Sequence, residues 1–306
     1  MKEYEYNNKV MGTDLSIAIV DDSQELADNL ASEALSEIQA YEKRFSRFLP
    51  ESELSQLNQR KELIVSKIFI ETIIKARELF IETKGIFNPL VQIERLGYDK
   101  TFEEIKDIDT GPINQENYDI DFSTVVIDQN LSKIILNEGQ KLDFGGFLKG
   151  YLAEKIAKKI KNGYEKFESE KEKIIGVIVN LGGDIHAQGL DVNNQKFIFN
   201  IYNPMTDRDE ISVKLYNESL ATSGTYKRFW QKSGSKVHHI LDASGRHNPK
   251  SEIISASIIH EDGGKSDALA KVFLSVGHEK AKQLFEKEKI QFIIIKNNGE
   301  IIKQLV

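Results

Sequence analysis

Residues 142–151 read Leu-Asp-Phe-Gly-Gly-Phe-Leu-Lys-Gly-Tyr. Paired glycines at the start of a helix let backbone N–H groups approach an anion that the helix dipole also favours, and Lys149 adds a full positive charge. The same residues would also suit close packing beside a solvated lysine, so their spacing leaves both readings open. A second apolar run meets paired glycines and an aspartate at Val179–Ile185, and it reads as a support for the first or as an ordinary strand-ending turn. His-His-Ile-Leu-Asp stands at 238–242. Neighbouring strand side chains point to opposite faces, so His238 and His239 do not share one site easily. One of them matches a general base, because neutral imidazole near pH 7 can take a hydroxyl proton; a structural histidine is the other reading. His186, His247, His260 and His278 show no metal-ligand spacing. Asp267 and Lys271 lie one helical turn apart, which suits a plain salt bridge. Asp267 also suits a hard cation, provided a diphosphate and backbone oxygens complete the shell.

Neither G-x-x-x-x-G-K-[ST] nor G-x-G-x-x-G occurs, so ordinary P-loop and Rossmann readings are poor. The 41 basic and 48 acidic residues leave a net charge of −7, which argues against nucleic acid as a partner. With no cysteine there is no disulfide, thiolate nucleophile or thiolate zinc site, and any metal must be held by oxygen or histidine. No run reaches the roughly 20 apolar residues of a transmembrane helix. The first 20 residues lack the apolar core and cleavage site of a signal peptide, which predicts a cytoplasmic protein.

These residues need elements to position them. The three-to-four spacing of Leu26, Leu30, Ala34, Ile38, Tyr41 and Phe45 predicts a long amphipathic helix between Glu25 and Phe48. A second is expected over 66–84, ended by Gly85 as a left-handed cap, and a third begins just after Gly145-Gly146 and stops at Asn162-Gly163. Strands are expected at 15–20, 124–129, 133–138, 176–181, 196–202 and 255–261, with a closing hairpin around Asn297-Asn298-Gly299. Local strand pairing with separate helical blocks favours α+β over regular βαβ winding. No repeat, linker or composition break divides the 306 residues, so the chain reads as one domain, 1–306, of two lobes, with 99–123 as an inserted surface loop.

Taken in order, eight segments resemble the FAD:protein FMN transferases, the ApbE-like flavin transferases. They are MGT at 11–13, FSRFLPESELSQLN at 45–58, GIFNPLV at 85–91, LDFGGFLKGY at 142–151, VNLGGDIHAQG at 179–189, LATSGTYKR at 220–228, HHILD at 238–242 and SDALAKVFLSVG at 266–277. The resemblance implies a T-fold-related α+β unit with mixed or antiparallel sheets and packed helices. It also implies an activity: FAD is split, its FMN half is joined through phosphate to a Ser or Thr of a partner flavoprotein carrying a flavinylation motif, and AMP is released. FAD binding without transfer, or hydrolysis of FAD to FMN and AMP, are the alternatives. By the same resemblance Met11 and Phe48 line the dinucleotide site, Phe48 replacing a Tyr near the adenine. Ile86, Phe87 and Asn88 match a segment commonly reading Phe-Asp-Pro-Thr, here with an amide for the carboxylate. Asp143 and Lys149 contact FAD, Tyr226 lies near the flavin, Ile254 makes an apolar contact, and His239 matches the essential histidine. Magnesium would be held by the Gly146 carbonyl and Asp267, with Lys271 standing where a Thr ligand is usual. The turn after HHILD reads Ala-Ser-Gly where Pro-x-Thr-Gly is usual.

Overall fold

A computed structural model describes residues 1–306 apart from 91, 99, 101, 106–108, 110–118, 165, 168–173, 243, 289 and 306. Most of the expected inserted loop at 99–123 therefore lies outside the described residues. The chain opens with a hairpin of β1 (Lys2–Val10) and β2 (Thr13–Asp21), joined by Met11-Gly12 with both residues at positive φ, 51° and 67°. Two left-handed residues match the twist of the strands they join, but Met11 has a Cβ and resists the conformation. Its N–H is held by Glu42 Oε1 at 2.7 Å, from α1 (Gln24–Phe45). Ser23 caps α1 by accepting from the Leu26 N–H, and the apolar face predicted from spacing is the buried one.

There follow α2 (Glu53–Arg60), β3 (Glu62–Ile64), α3 (Lys67–Glu82), a short α4 (Phe102–Ile105), β4 (Val126–Asp128), β5 (Lys133–Ile135) and α5 (Leu148–Lys161). Next come β6 (Gly176–Leu181), β7 (Asp184–Gly189), β8 (Phe197–Asn203), β9 (Arg208–Leu215), β10 (Glu218–Gly224), β11 (Phe229–Lys232), β12 (Ser235–His238) and β13 (Ile253–His260). The chain ends with α6 (Gly263–Val276), α7 (His278–Leu284), β14 (Gln291–Lys296) and β15 (Ile301–Gln304). Gly85 stands just past α3 at φ 77°, and its N–H bonds the Phe80 carbonyl, a left-handed helix ending of the kind expected.

Eight strands form one sheet in the order β1-β2-β6-β7-β10-β13-β14-β15, every neighbouring pair antiparallel. Helices α1, α5 and α6 pack against it. The hairpin β8–β9 covers another part of its surface, with Phe197, Ile201, Val213 and Leu215 against Val20, Leu220, Ile259 and Ile293. A sheet covered on both faces accounts for β6, where Val177 and Val179 join the main core while Ile178 packs against the hairpin's cluster. The fold is α+β, as the sequence pattern predicts. No helix among the described residues is long and apolar enough to cross a membrane.

One contact positions the site. A Cβ on Gly150 of α5 would meet the Gly263 carbonyl oxygen at 2.2 Å and the Asp267 Cβ at 2.8 Å. A Cβ on Gly263 would meet the Gly150 carbonyl oxygen at 2.2 Å. Only hydrogen atoms fit between the two backbones, so the first turns of α5 and α6 touch and bring Lys149 alongside Asp267.

Candidate active site

A cavity of about 730 Å³ opens where the C-terminal end of α1, residues 86–88, the start of α5, residues 239–242 and α6 meet. That is within the size range of about 300–1,000 Å³ usual for ligand sites. Of the residues implicated by the resemblance, Met11, Phe48, Ile86, Phe87, Asn88, Asp143, Gly146, Lys149, His239 and Lys271 line it. Tyr226, Ile254 and Asp267 are not among the lining residues. Tyr226 instead stacks on Tyr202 of β8, ring centroids 5.8 Å apart. Ile254 lies in β13, where its carbonyl accepts from the Thr225 N–H at 3.0 Å. Asp267 is buried beneath Lys271 at 1% exposure.

The floor is cationic. The Lys149 ammonium pairs with Asp184, the aspartate that the second glycine turn delivers at the start of β7. Burial alone would lower the pKa of Lys149, but the Asp184 and Asp267 carboxylates outweigh it and raise the pKa, so Lys149 stays charged. Burial and then Asp267 push the Asp184 carboxyl up, against the pull of Lys149 and Lys271. Arg228 also lines the cavity, as does Lys271, whose ammonium pairs with Asp267. The cap position of α5 is Phe147, which offers no side-chain acceptor; the Leu148 N–H bonds the Phe144 carbonyl and the Gly150 N–H bonds Asp267, and Leu148 and Lys149 of this first turn line the cavity.

His239 follows β12 and faces this floor, whereas His238 is engaged by Asn248, whose side chain bonds both the N–H and the carbonyl of His238. His239 lines the cavity and His238, the last residue of β12, does not. Burial, then Lys271 and Arg228, pull the His239 pKa down to about 3, so the ring is neutral at physiological pH. Its Nδ1 is buried with no hydrogen-bond partner among the described residues, and the same holds for Ser275 Oγ, also on the cavity wall. Buried polar atoms are rarely left unpaired, and two on one cavity wall fit a ligand.

At the rim, the Arg47 guanidinium lies 4.7 Å from the Phe48 ring centroid and 4.6 Å from that of Tyr98. It also bonds Asp143 Oδ2 at 3.2 Å, while Asp143 Oδ1 accepts from the Gly145 N–H at 2.7 Å. Tyr98 stacks on Trp230, whose indole N–H donates to the Leu96 carbonyl at 2.7 Å. Phe48 is 41% exposed, a flat apolar surface suited to stacking. The amide at position 88 has a structural reason: Asn88 Nδ2 donates to the Ile120 carbonyl at 2.8 Å while its Oδ1 accepts from the Leu90 N–H at 2.9 Å. A carboxylate would lack the donor.

A magnesium ion on Gly146 and Asp267 does not fit these residues. The Lys271 ammonium takes one oxygen of Asp267, and the other accepts the Gly150 N–H at 3.4 Å. No group of three or more His, Asp or Glu suited to a metal occurs among the described residues. The misfit has an electrostatic reason: the ammonium already supplies the positive charge beside Asp267.

Arg47, Tyr98 and Arg228 are site residues that sequence reasoning missed. Arg47 and Arg228 stood inside quoted segments, FSRF and TYKR, but an arginine between aromatic or polar neighbours reads as solvated. Tyr98 carried no signal, because its partner Trp230 is distant in the chain.

Among known proteins, an FAD:protein FMN transferase of Klebsiella pneumoniae is 24% identical over 98% of this chain and 91% of that relative. One of Haemophilus influenzae is 23% identical over 97% of this chain and 88% of its own length. The crystal structure of the ApbE protein of Thermotoga maritima superposes with a TM-score of 0.83 at 22% identity, covering 99% of this chain and 97% of that one. The apo form of the Pseudomonas stutzeri flavinyl transferase ApbE gives 0.77 at 16% identity, covering 99% and 94%. The ApbE family model matches residues 11–294, the span that carries the whole cavity, and this chain belongs to that family.

Proposed function

We propose that this chain is an FAD:protein FMN transferase, with residues 1–306 working as one unit and FAD held in the cavity described above. The observation that carries the reading is convergence. A neutral histidine with a free buried nitrogen, three cations and the glycine turn that starts α5 meet in one cavity of cofactor size. In this reading the diphosphate lies against the start of α5, where Lys149, Arg228 and Lys271 neutralise charge that would repel a nucleophile. The hydroxyl oxygen of an acceptor Ser or Thr attacks the phosphorus on the FMN side. The P–O bond to the AMP phosphate breaks, AMP leaves with the electron pair, and His239 takes the hydroxyl proton. A histidine lowered to about 3, first by burial and then by Lys271 and Arg228, is a weak base; two phosphate charges beside those cations offset their part of the depression, so substrate raises its basicity.

The test is intact-mass analysis after incubating the protein with FAD and a peptide of the form Asp-x-x-Thr-Gly-Ala-Thr. An FMN-sized gain on the peptide with release of AMP is expected. Free FMN and AMP with unchanged peptide would instead assign hydrolysis, and bound, intact FAD would assign carriage; either result overturns transfer.

A further inference from the structure

The residues that would have to hold a divalent cation are already satisfied by a lysine. Lys271 is one helical turn from Asp267, and their pairing anchors the ammonium at the cavity wall. Beside it, a Cβ on Gly146 would meet the Phe87 ring at 2.9 Å and Lys271 Cδ at 3.8 Å, so position 146 offers bare backbone next to the lysine stem. Lys149, Lys271 and Arg228 bring three positive charges to the floor of the cavity, backed by the carboxylates of Asp184 and Asp267, while Arg47, Glu42, Asp143 and Asp242 line other parts of its wall. An ammonium has three N–H donors, and its contacts with the Asp267 carboxylate and, at 3.4 Å, the Asp267 carbonyl do not exhaust them. Arg228 has no carboxylate partner among the described residues. A divalent cation brought to the same place would meet the Lys271 ammonium at close range, and that repulsion opposes its binding.

We propose that the Lys271 ammonium, with Lys149 and Arg228, replaces a divalent cation as the counter-charge to the FAD diphosphate, so that this chain binds FAD and transfers FMN without added metal. The inference rests on the reading of the cavity as an FAD site. Lysine serves phosphate as a compact point charge, and holding it against a buried carboxylate prepays the entropy of a long side chain.

The experiment compares the whole protein in excess chelator with the same protein in magnesium, following FAD binding by flavin fluorescence and AMP release in the presence of acceptor peptide. Dissociation constant and rate are expected to agree within about twofold between the two conditions. Lys271→Thr should weaken FAD binding in chelator about tenfold and recover it with magnesium, whereas Lys271→Arg should remain indifferent to metal. A wild-type protein that loses about tenfold or more in chelator and regains it with magnesium would overturn the proposal. So would a folded Lys271→Thr that binds FAD in chelator as tightly as wild type. If removing its partner from buried Asp267 makes Lys271→Thr fold poorly, the wild-type comparison decides alone. A wild type that binds no FAD under either condition brings down the FAD reading itself, an outcome distinct from metal dependence.

Discussion

His239 is the base of the proposed reaction, and its neutrality is a product of burial and of two neighbouring cations. Replacing it with Ala should lower FMN transfer by about 10²–10⁴, the usual worth of a positioned base, while FAD binding measured by fluorescence changes little. The same burial acts on stability. His238 is held at about 4 and His239 at about 3, and His186 and His260 are also lowered, with burial the leading cause in each. Because the folded values lie below the ordinary 6.5, the unfolded chain takes up protons first as pH falls. Stability from these groups is therefore complete above about pH 6.5 and declines as pH drops toward the folded values. Thermal unfolding followed from pH 7.5 downward should show that decline, and His239→Asn should flatten part of it. Asn88 offers a different test. Asn88→Asp removes the donor to Ile120 while keeping the acceptor for Leu90, and should cost about 1–3 kcal/mol in denaturant unfolding. The sequence signals its chemistry here through the histidine pair, but the reason for the amide is invisible without its carbonyl partner 32 residues away.

Among the elements, α5 and α6 matter most, since their N-terminal turns bring together two motifs more than a hundred residues apart in the chain. Gly150→Ala would drive a methyl group into the Gly263 carbonyl and the Asp267 side chain. Forced separation of the helices should cost about 1–3 kcal/mol, as overpacking does, and should weaken FAD binding by displacing Lys149 relative to Lys271. Unfolding and flavin fluorescence on one preparation check both parts. Helices α1, α3 and α5 are legible from sequence because their apolar spacing is regular and their ends carry caps or glycines. Strands β1 and β9 are not. Lys-Glu-Tyr-Glu-Tyr-Asn-Asn-Lys-Val is polar because β1 is an edge strand with one neighbour, and β9 opens with the exposed charged run Arg208-Asp209-Glu210. Their order along the sheet depends on pairing partners distant in the chain, which local periodicity does not encode.

At the scale of the whole molecule, the cavity is roofed by a small separate core in which Leu96, Tyr98 and Ile105 pack against Trp230, Val237 and Leu241. This cluster ties the β11–β12 hairpin, which leads into His239, to the segment that supplies Tyr98 against Arg47. Trp230→Ala should cost about 3–5 kcal/mol locally, the usual penalty for deleting a buried indole. Because the main core does not include these residues, hydrogen exchange should rise in 229–241 while the eight-stranded sheet stays protected. Transfer should fall with it, since Arg228 and His239 flank the loosened hairpin. What the sequence by itself determined was local: the glycine turn that starts α5, the histidine pair, the acid and base one turn apart, the amphipathic helices and the α+β pattern. These follow from backbone sterics and from hydrophobic spacing within a few residues. Tertiary structure alone decided that Asp184 pairs with Lys149 and that Arg47 lies between Phe48 and Tyr98. Charges choose partners by distance through a low-dielectric interior, and that distance is set only when the helices and the sheet have packed.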